Sequence, residues 1–220
     1  STVLTRCELR LAEALNPLGR IDESLAAVDR AVHTVDADPS PTIGMRIDLM
    51  RAFCLLPSGR FDEAVTLSRQ VCDTARAAGR SEIAGLGSAC LGYALEGRGE
   101  VAAAIEAYEA ALRTSVEDRL IDQIRAARAH LLANSPRAAE VVDELVEVVA
   151  GLVARGEDIA AAVAQFDLAV AYHAAGELLD AAETAETAVR ALGGVGRHAA
   201  FFFNDTATTE IYTDLGEVDQ

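Results

Sequence analysis

Histidine and cysteine are the residues here that could hold a metal ion or act as nucleophiles, and the chain of 220 residues has four of each. Zinc and catalytic sites bring such residues together at short spacings, for example H-E-x-x-H or C-x-x-C. The eight residues are instead scattered: His33, His130, His173, His198, Cys7, Cys54, Cys72 and Cys90. No histidine belongs to such a motif and no two cysteines are close, so we predict that the chain binds no metal.

Lysine is absent, because all 19 basic residues are arginine. Its absence excludes a phosphate-binding Walker A loop, a Schiff-base lysine and a kinase lysine within this segment. The stretch "GLGSAC" at 85–90 has a serine near two glycines, but it lacks the G-x-S-x-G pattern and lies inside an apolar helical pattern. The sequence therefore predicts neither an enzyme nor a cofactor.

The chain is acidic, with 35 acidic and 19 basic residues and a net charge of −16 spread along its length. Nucleic-acid binding needs a basic surface that displaces counterions, so we expect no nucleic acid to bind this segment. A basic peptide remains open as a partner, and solubility is the simpler explanation of the charge.

The most apolar stretch, Ile159 to Ala175, is shorter than the ~20 residues of a membrane-spanning helix and includes Asp167. We interpret it as a buried helix and expect no membrane insertion. All four cysteines lie in apolar helical patterns, which favours small buried side chains over a disulfide framework. These features together predict a cytoplasmic protein.

An internal repeat organises the chain. "GRIDESL" begins at Gly19 and "GRFDEAV" at Gly59, 40 residues later, and Gly99, Gly176 and Gly216 continue the series. The interval between Gly99 and Gly176 has room for two units, with "NSP" at 134–136 marking a turn and the start of the next helix.

Each unit follows one frame around its glycine. After the glycine, apolar or small residues recur at helical spacing, as in the third unit with Val101, Ala104, Ile105, Tyr108, Ala111 and Leu112. Ser24 and Ser68 depart from this pattern. Small residues also stand seven positions before each turn glycine, which predicts close helix packing at Ala12, Ala52, Gly92 and Ala169. Each unit is therefore a helical hairpin, and hairpins must stack to bury both faces.

The run "LGYALEGRGEVAAAIEAYEAAL" at 91–112 resembles a tetratricopeptide repeat, and "LAVAYHAAGELLDAAETAETAV" at 168–189 resembles it nearly as well. The first two units match mainly in their second helices, because Arg51 replaces the expected leucine. The resemblance implies an all-α, right-handed solenoid of antiparallel hairpins over residues 1–200. It would contain about five hairpins and a partial sixth, of a long repeat type found in bacterial proteins.

Arrays of this family bind peptides or protein surfaces on a concave face formed by the first helix of each hairpin. The resemblance implies these lining residues: Leu9, Glu13, Leu49, Phe53, Tyr93, Phe166, Val170 and His173. Packing within a hairpin is the alternative for each, above all for Phe53 and Phe166. A second hypothesis is a basic stripe of Arg125 and Arg128, for which a solvated helix face is the simpler interpretation.

The resemblance implies a protein-interaction scaffold whose partner is a protein or peptide. The alternative is a sensor or autoinhibitory segment of a larger bacterial signalling ATPase or LuxR-type transcription regulator. The sequence does not decide the oligomeric state.

The stretch "FFFNDTATTEIYT" at 201–213 differs in composition from the rest of the chain. Residues 204–213 fit a direct translation of a common sequencing-library adapter, AATGATACGGCGACCACCGAGATCTACAC. We interpret 201–213 as non-native, and 214–220, which regain the frame through Gly216, as the start of a further repeat.

Overall fold

A computed structural model of the chain describes residues 2–35, 41–114 and 118–193, and these ranges contain α-helices and short 3-10 turns but no strand. The helices are α1 (Thr2–Leu15), α2 (Ile21–Thr34), α3 (Pro41–Leu55), α4 (Phe61–Ala77), α5 (Ser81–Gly97), α6 (Val101–Leu112), α7 (Asp118–Ala133), α8 (Val142–Ala154), α9 (Asp158–Ala175) and α10 (Leu178–Gly193). The segments 201–213 and 214–220 lie outside the described residues.

The contacts divide the chain into two compact units, residues 1–131 and 132–220, with the boundary near the end of α7. In the first unit, α1 packs on α2, α3 on α4, and α5 on α6, as the hairpin prediction requires. The pairs α2 with α3 and α4 with α5 join successive hairpins, and the first helices α1, α3 and α5 also contact in order. In the second unit, α9 packs between α8 and α10.

Glycines in the left-handed conformation close the hairpins. Gly59 and Gly99 have φ of 67° and 74°, a region that other residues adopt only with strain. At Gly99 the amide of Glu100 donates to the carbonyl of Leu95 at 2.9 Å, which satisfies the end of α5. Gly79 and Gly156 adopt the same conformation between hairpins, where the sequence frame did not identify turns.

The "NSP" turn does not start α8 directly. The hydroxyl of Ser135 accepts a hydrogen bond from the Arg137 amide at 3.1 Å, and a 3-10 turn over Ala138–Val141 follows. The helix α8 begins only at Val142. The predicted helix start is therefore wrong by about two turns, because Ser135 caps the turn rather than the α-helix.

The two serines that break the apolar pattern are fully buried. Ser24 donates to the carbonyl of Ala12 at 2.8 Å, and its Oγ lies 3.0 Å from Sγ of Cys54. This hydrogen bond links α2 to α1 and satisfies a polar group that would otherwise be costly to bury. At Ser24, a serine therefore fits an interior position of the frame without disturbing the hairpin.

The cysteine prediction is correct for three residues and wrong for one. Cys54, Cys72 and Cys90 are buried, whereas Cys7 is exposed on α1. Burial raises the pKa of each buried thiol, to about 12 for Cys90. Cys7 is exposed because no described helix packs on that side of α1.

We therefore expect one fast and three slow thiols in the native protein. A thiol reagent such as dithionitrobenzoate reacts with the thiolate, so burial and a raised pKa both slow the reaction at Cys54, Cys72 and Cys90. The measurement is the number of thiols titrated within minutes before and after adding guanidinium. Replacing Cys7 with serine should remove the fast phase, and a fast phase that persists would contradict this assignment.

Candidate functional site

The predicted partner-binding residues begin with a row across the first unit. Glu13, Phe53 and Tyr93 each stand six residues before a turn glycine, on α1, α3 and α5. Because α1 contacts α3 and α3 contacts α5, equivalent positions on these helices lie side by side. We call the surface formed by these three residues the first-helix face.

Leu9 and Leu49 lie one helical turn before Glu13 and Phe53, and the structure places both in the interior. Each side chain is only 6% exposed. Leu9 packs in a cluster with Val28 from α2, and Leu49 in a cluster with Val71 from α4. Packing, the alternative interpretation, thus accounts for these two residues.

The two aromatic residues of the face are half-buried. Phe53 packs against both of those clusters and leaves part of its ring accessible. Tyr93 makes an edge-to-face contact with Tyr108, with ring centroids 5.3 Å apart. Burial, followed by the nearby Glu96 carboxylate, raises the pKa of Tyr93, so its hydroxyl stays protonated and can donate a hydrogen bond.

Tyr108 is the residue beneath Tyr93, and it is completely buried. Its hydroxyl donates to Oε2 of Glu96 at 2.5 Å, which ties α6 to the end of α5. The ring lies directly against Gly92, where a Cβ atom would overlap it. At Gly92, the small residue seven positions before the turn glycine thus permits close helix packing. The position of Tyr93 therefore depends on Gly92, its neighbour in the chain.

Exposed acidic side chains lie on the helices that form the first-helix face. Glu13 is exposed and forms an ion pair with Arg10 at 2.7 Å, and Glu82 lies 3.8 Å from Arg46. Exposed pairs of this kind contribute little to stability, so their charges remain accessible to a partner. The first-helix face thus combines two fixed aromatic rings with one exposed carboxylate, that of Glu13.

The remaining predicted residues lie on α9 in the second unit. Phe166, Val170 and His173 are spaced as i, i+4 and i+7, so they share one side of the helix. Phe166 and Val170 are half-buried and His173 is exposed. Arg125 and Arg128 on α7 are also half-buried and make polar contacts, so they do not form the solvated helix face considered above.

Comparison with known proteins supports this architecture through structure and not through sequence. No protein-family model and no curated protein matches the chain. The crystal structure of a kinesin light chain protein from Podosopora anserina, with nearly identical TPR-like repeats, matches with a TM-score of 0.61 and 23% identity. The match covers 87% of this chain and 96% of that one. The chain has a TPR-like fold.

Two further structures share this fold. A single-substitution variant of the same Podosopora anserina protein gives a TM-score of 0.62 at 22% identity, over 87% of this chain and 96% of that one. Aspartyl phosphate phosphatase F from Bacillus subtilis gives 0.58 at 11% identity, over 85% of this chain and 59% of that one. At such identities the likeness concerns the TPR-like fold alone.

A second surface of the TPR-like array was not predicted from the sequence. A groove of about 600 Å³ lies between α2 and α4, with Arg51 and Leu55 of α3 in its lining. Arg51 occupies the frame position of Leu91 and pairs with Asp29 at 2.6 Å, while Arg60 pairs with Glu63 at 2.7 Å. These side chains neutralise one another, so we assign Arg51 a role in joining neighbouring hairpins.

The described residues also bear on metal binding and on membrane insertion. In residues 2–35, 41–114 and 118–193, no group of three or more histidine, cysteine or acidic side chains could hold a metal ion. Over the same ranges, no helix is long and apolar enough to span a membrane.

Proposed function

We propose that the chain is a protein-interaction scaffold and that its first-helix face binds a peptide segment of a partner. The observation that carries this proposal is the placement of Phe53 and Tyr93 at equivalent positions on two contacting helices, each ring half-buried. Such rings are held by the core on one side and offer apolar surface on the other. Aromatic residues of this kind commonly dominate the energy of protein interfaces.

The rigidity of the face favours binding. Tyr93 is fixed by its contact with Tyr108, and Phe53 by two core clusters, so neither ring must be ordered when a partner arrives. A residue that is already ordered loses less side-chain entropy on binding. Apolar side chains of the partner would pack on the two rings, and the Tyr93 hydroxyl would donate to a backbone carbonyl.

The charge of the chain indicates the chemistry of the partner. The net charge of −16 attracts basic segments and repels acidic ones. Glu13 brings an exposed carboxylate to the face itself. We therefore propose a peptide with aromatic or aliphatic anchor residues flanked by arginine or lysine. On α9, Phe166, Val170 and His173 would form a second patch of the same kind.

A random peptide library displayed on phage tests this proposal. We expect the native chain to enrich peptides that combine apolar anchors with basic residues. For a synthetic peptide of that set, Glu13→Arg should weaken binding about tenfold in fluorescence anisotropy, because it reverses a charge beside the anchors. Glu13 is exposed, so the fold should be unaffected.

The matched control is Glu106→Arg, which makes the same charge change at an exposed position of α6, a second helix. It should change the affinity less than about twofold. The proposal fails if the two variants weaken binding equally, or if the library yields no peptide that binds the chain.

A further inference from the structure

The helix α1 carries an exposed apolar stripe on the side away from α2. Leu4, Cys7, Leu11 and Ala14 are spaced as i, i+3, i+7 and i+10, and all four are exposed. Leu4 is 50% exposed and Leu11 is 43% exposed. This spacing is typical of a helix face that packs against another helix. Glu13 lies elsewhere on α1, so the stripe is separate from the first-helix face.

The equivalent positions on later first helices are covered. On α9 all four are buried, at Ala161, Ala164, Leu168 and Ala171. On α3 and α5 each is buried or half-buried, at Gly44, Ile47, Arg51, Cys54, Ala84, Gly87, Leu91 and Ala94. Among these four helices, α1 alone therefore leaves this side exposed to solvent.

Neighbouring contacts show what kind of element covers this surface inside the array. In the first unit, α2 packs on α3 and α4 packs on α5, so each of these first helices receives the second helix of the hairpin before it. The covering side of α4 includes Val65, Ser68 and Cys72, all buried. A partner for α1 must accordingly present the outer side of a second helix of this repeat type.

The chain itself carries such a surface on α10. The residues of α10 at the frame positions of Phe61, Val65, Ser68 and Cys72 are Leu178, Ala182, Ala185 and Val189. Leu178 is 61% exposed, Val189 is 46% exposed, Ala182 is exposed and Ala185 is half-buried. These residues form an apolar stripe that corresponds to the covering side of α4.

We propose that the exposed stripe of α1 docks against the α10 stripe of a second copy of this chain, so that molecules associate head to tail. The contact would repeat the packing of α4 on α5 between two molecules. Because its two sides differ, such a contact generates closed rings or open chains of molecules rather than a two-fold symmetric dimer.

Two physical features set the strength of this association. A contact between one helix of each molecule buries less surface area than a standard protein interface. We therefore expect dissociation constants of tens of micromolar or weaker. The net charge of −16 on each copy opposes the contact. Added salt screens this repulsion, so self-association should strengthen between about 0.05 and 0.5 M salt.

Sedimentation of the full chain up to about 0.5 mM tests the proposal, over a range that covers weak interfaces. We expect concentration-dependent species larger than dimers for the native protein. Leu11→Glu and Val189→Glu should each be monomeric, since each blocks one side of the contact. A mixture of the two variants should form a dimer that grows no further, because one intact α1 stripe then meets one intact α10 stripe.

Matched controls are Arg6→Glu on α1 and Thr187→Glu on α10, which place a glutamate at exposed positions outside the two stripes. Both should associate like the native chain, and circular dichroism should show all four variants folded. A monomeric native protein at the highest concentration would overturn the proposal. Self-association of Val189→Glu alone would also overturn it, because that result indicates a symmetric contact between α1 helices.

Discussion

Replacing Tyr108 with alanine is expected to lower the free energy of unfolding by about 4 kcal/mol. Tyr108 is completely buried, contacts the ring of Tyr93 and donates a hydrogen bond to Glu96. Its removal leaves a cavity between α5 and α6 and deletes the hydrogen bond to Glu96. Urea denaturation followed by circular dichroism measures the loss.

A milder variant separates the contribution of the buried ring from that of the hydrogen bond to Glu96. Tyr108→Phe keeps the ring and removes only the hydroxyl, so the expected loss is about 1.5 to 3 kcal/mol, the range for hydrogen bonds to charged groups. A loss below about 1 kcal/mol for Tyr108→Ala would show that the ring is not part of a packed core.

The second large effect is expected at Gly92. An exposed helical glycine replaced by alanine usually stabilises a protein by up to about 1 kcal/mol. At Gly92 the new Cβ would overlap the Tyr108 ring, whose Cζ lies 3.0 Å from the ideal Cβ position. Overpacking of this kind costs about 1 to 3 kcal/mol, so we expect Gly92→Ala to destabilise the chain. The measurement is again urea denaturation.

Gly44→Ala provides the matched control. Gly44 lies in α3 and has open space around its Cβ position, so alanine there should be neutral or stabilising. The combination of Gly92→Ala with Tyr108→Val copies the first hairpin, where Ala12 and Val28 occupy these positions. Its loss should be smaller than the sum of the single losses by at least about 1 kcal/mol. Additive losses would contradict direct contact between the two residues.

The hairpins could be predicted because one frame governs both their turns and their interfaces. Gly19, Gly59, Gly99 and Gly176 close the four hairpins they were assigned to, and residues such as Ala104 and Ala111 are buried as the periodicity requires. The turn glycine and the apolar spacing are local features of sequence. A hairpin can therefore be derived from about 30 neighbouring residues without knowledge of distant contacts.

The accessible surface was harder to predict, because exposure depends on neighbouring hairpins. Leu9 and Glu13 are four residues apart on α1, yet Leu9 is buried and Glu13 is exposed. Cys7 follows an interior pattern but remains exposed, since no described helix covers that side of α1. Arg51 replaces a leucine, and only the structure reveals its partner, Asp29, on the preceding hairpin. Periodicity identifies which residues share a helix side, whereas the contacts decide which sides are covered.

Photo-crosslinking tests the central claim, that the first-helix face binds a partner peptide, most directly. Benzoylphenylalanine would replace Phe53 on that face or Leu67, which lines the groove between α2 and α4. Both side chains are half-buried, so the replacements are comparable. With a peptide selected by the native chain, we predict a crosslink from position 53 and none from position 67. A crosslink from position 67 alone would place the peptide in the outer groove and contradict the proposed function.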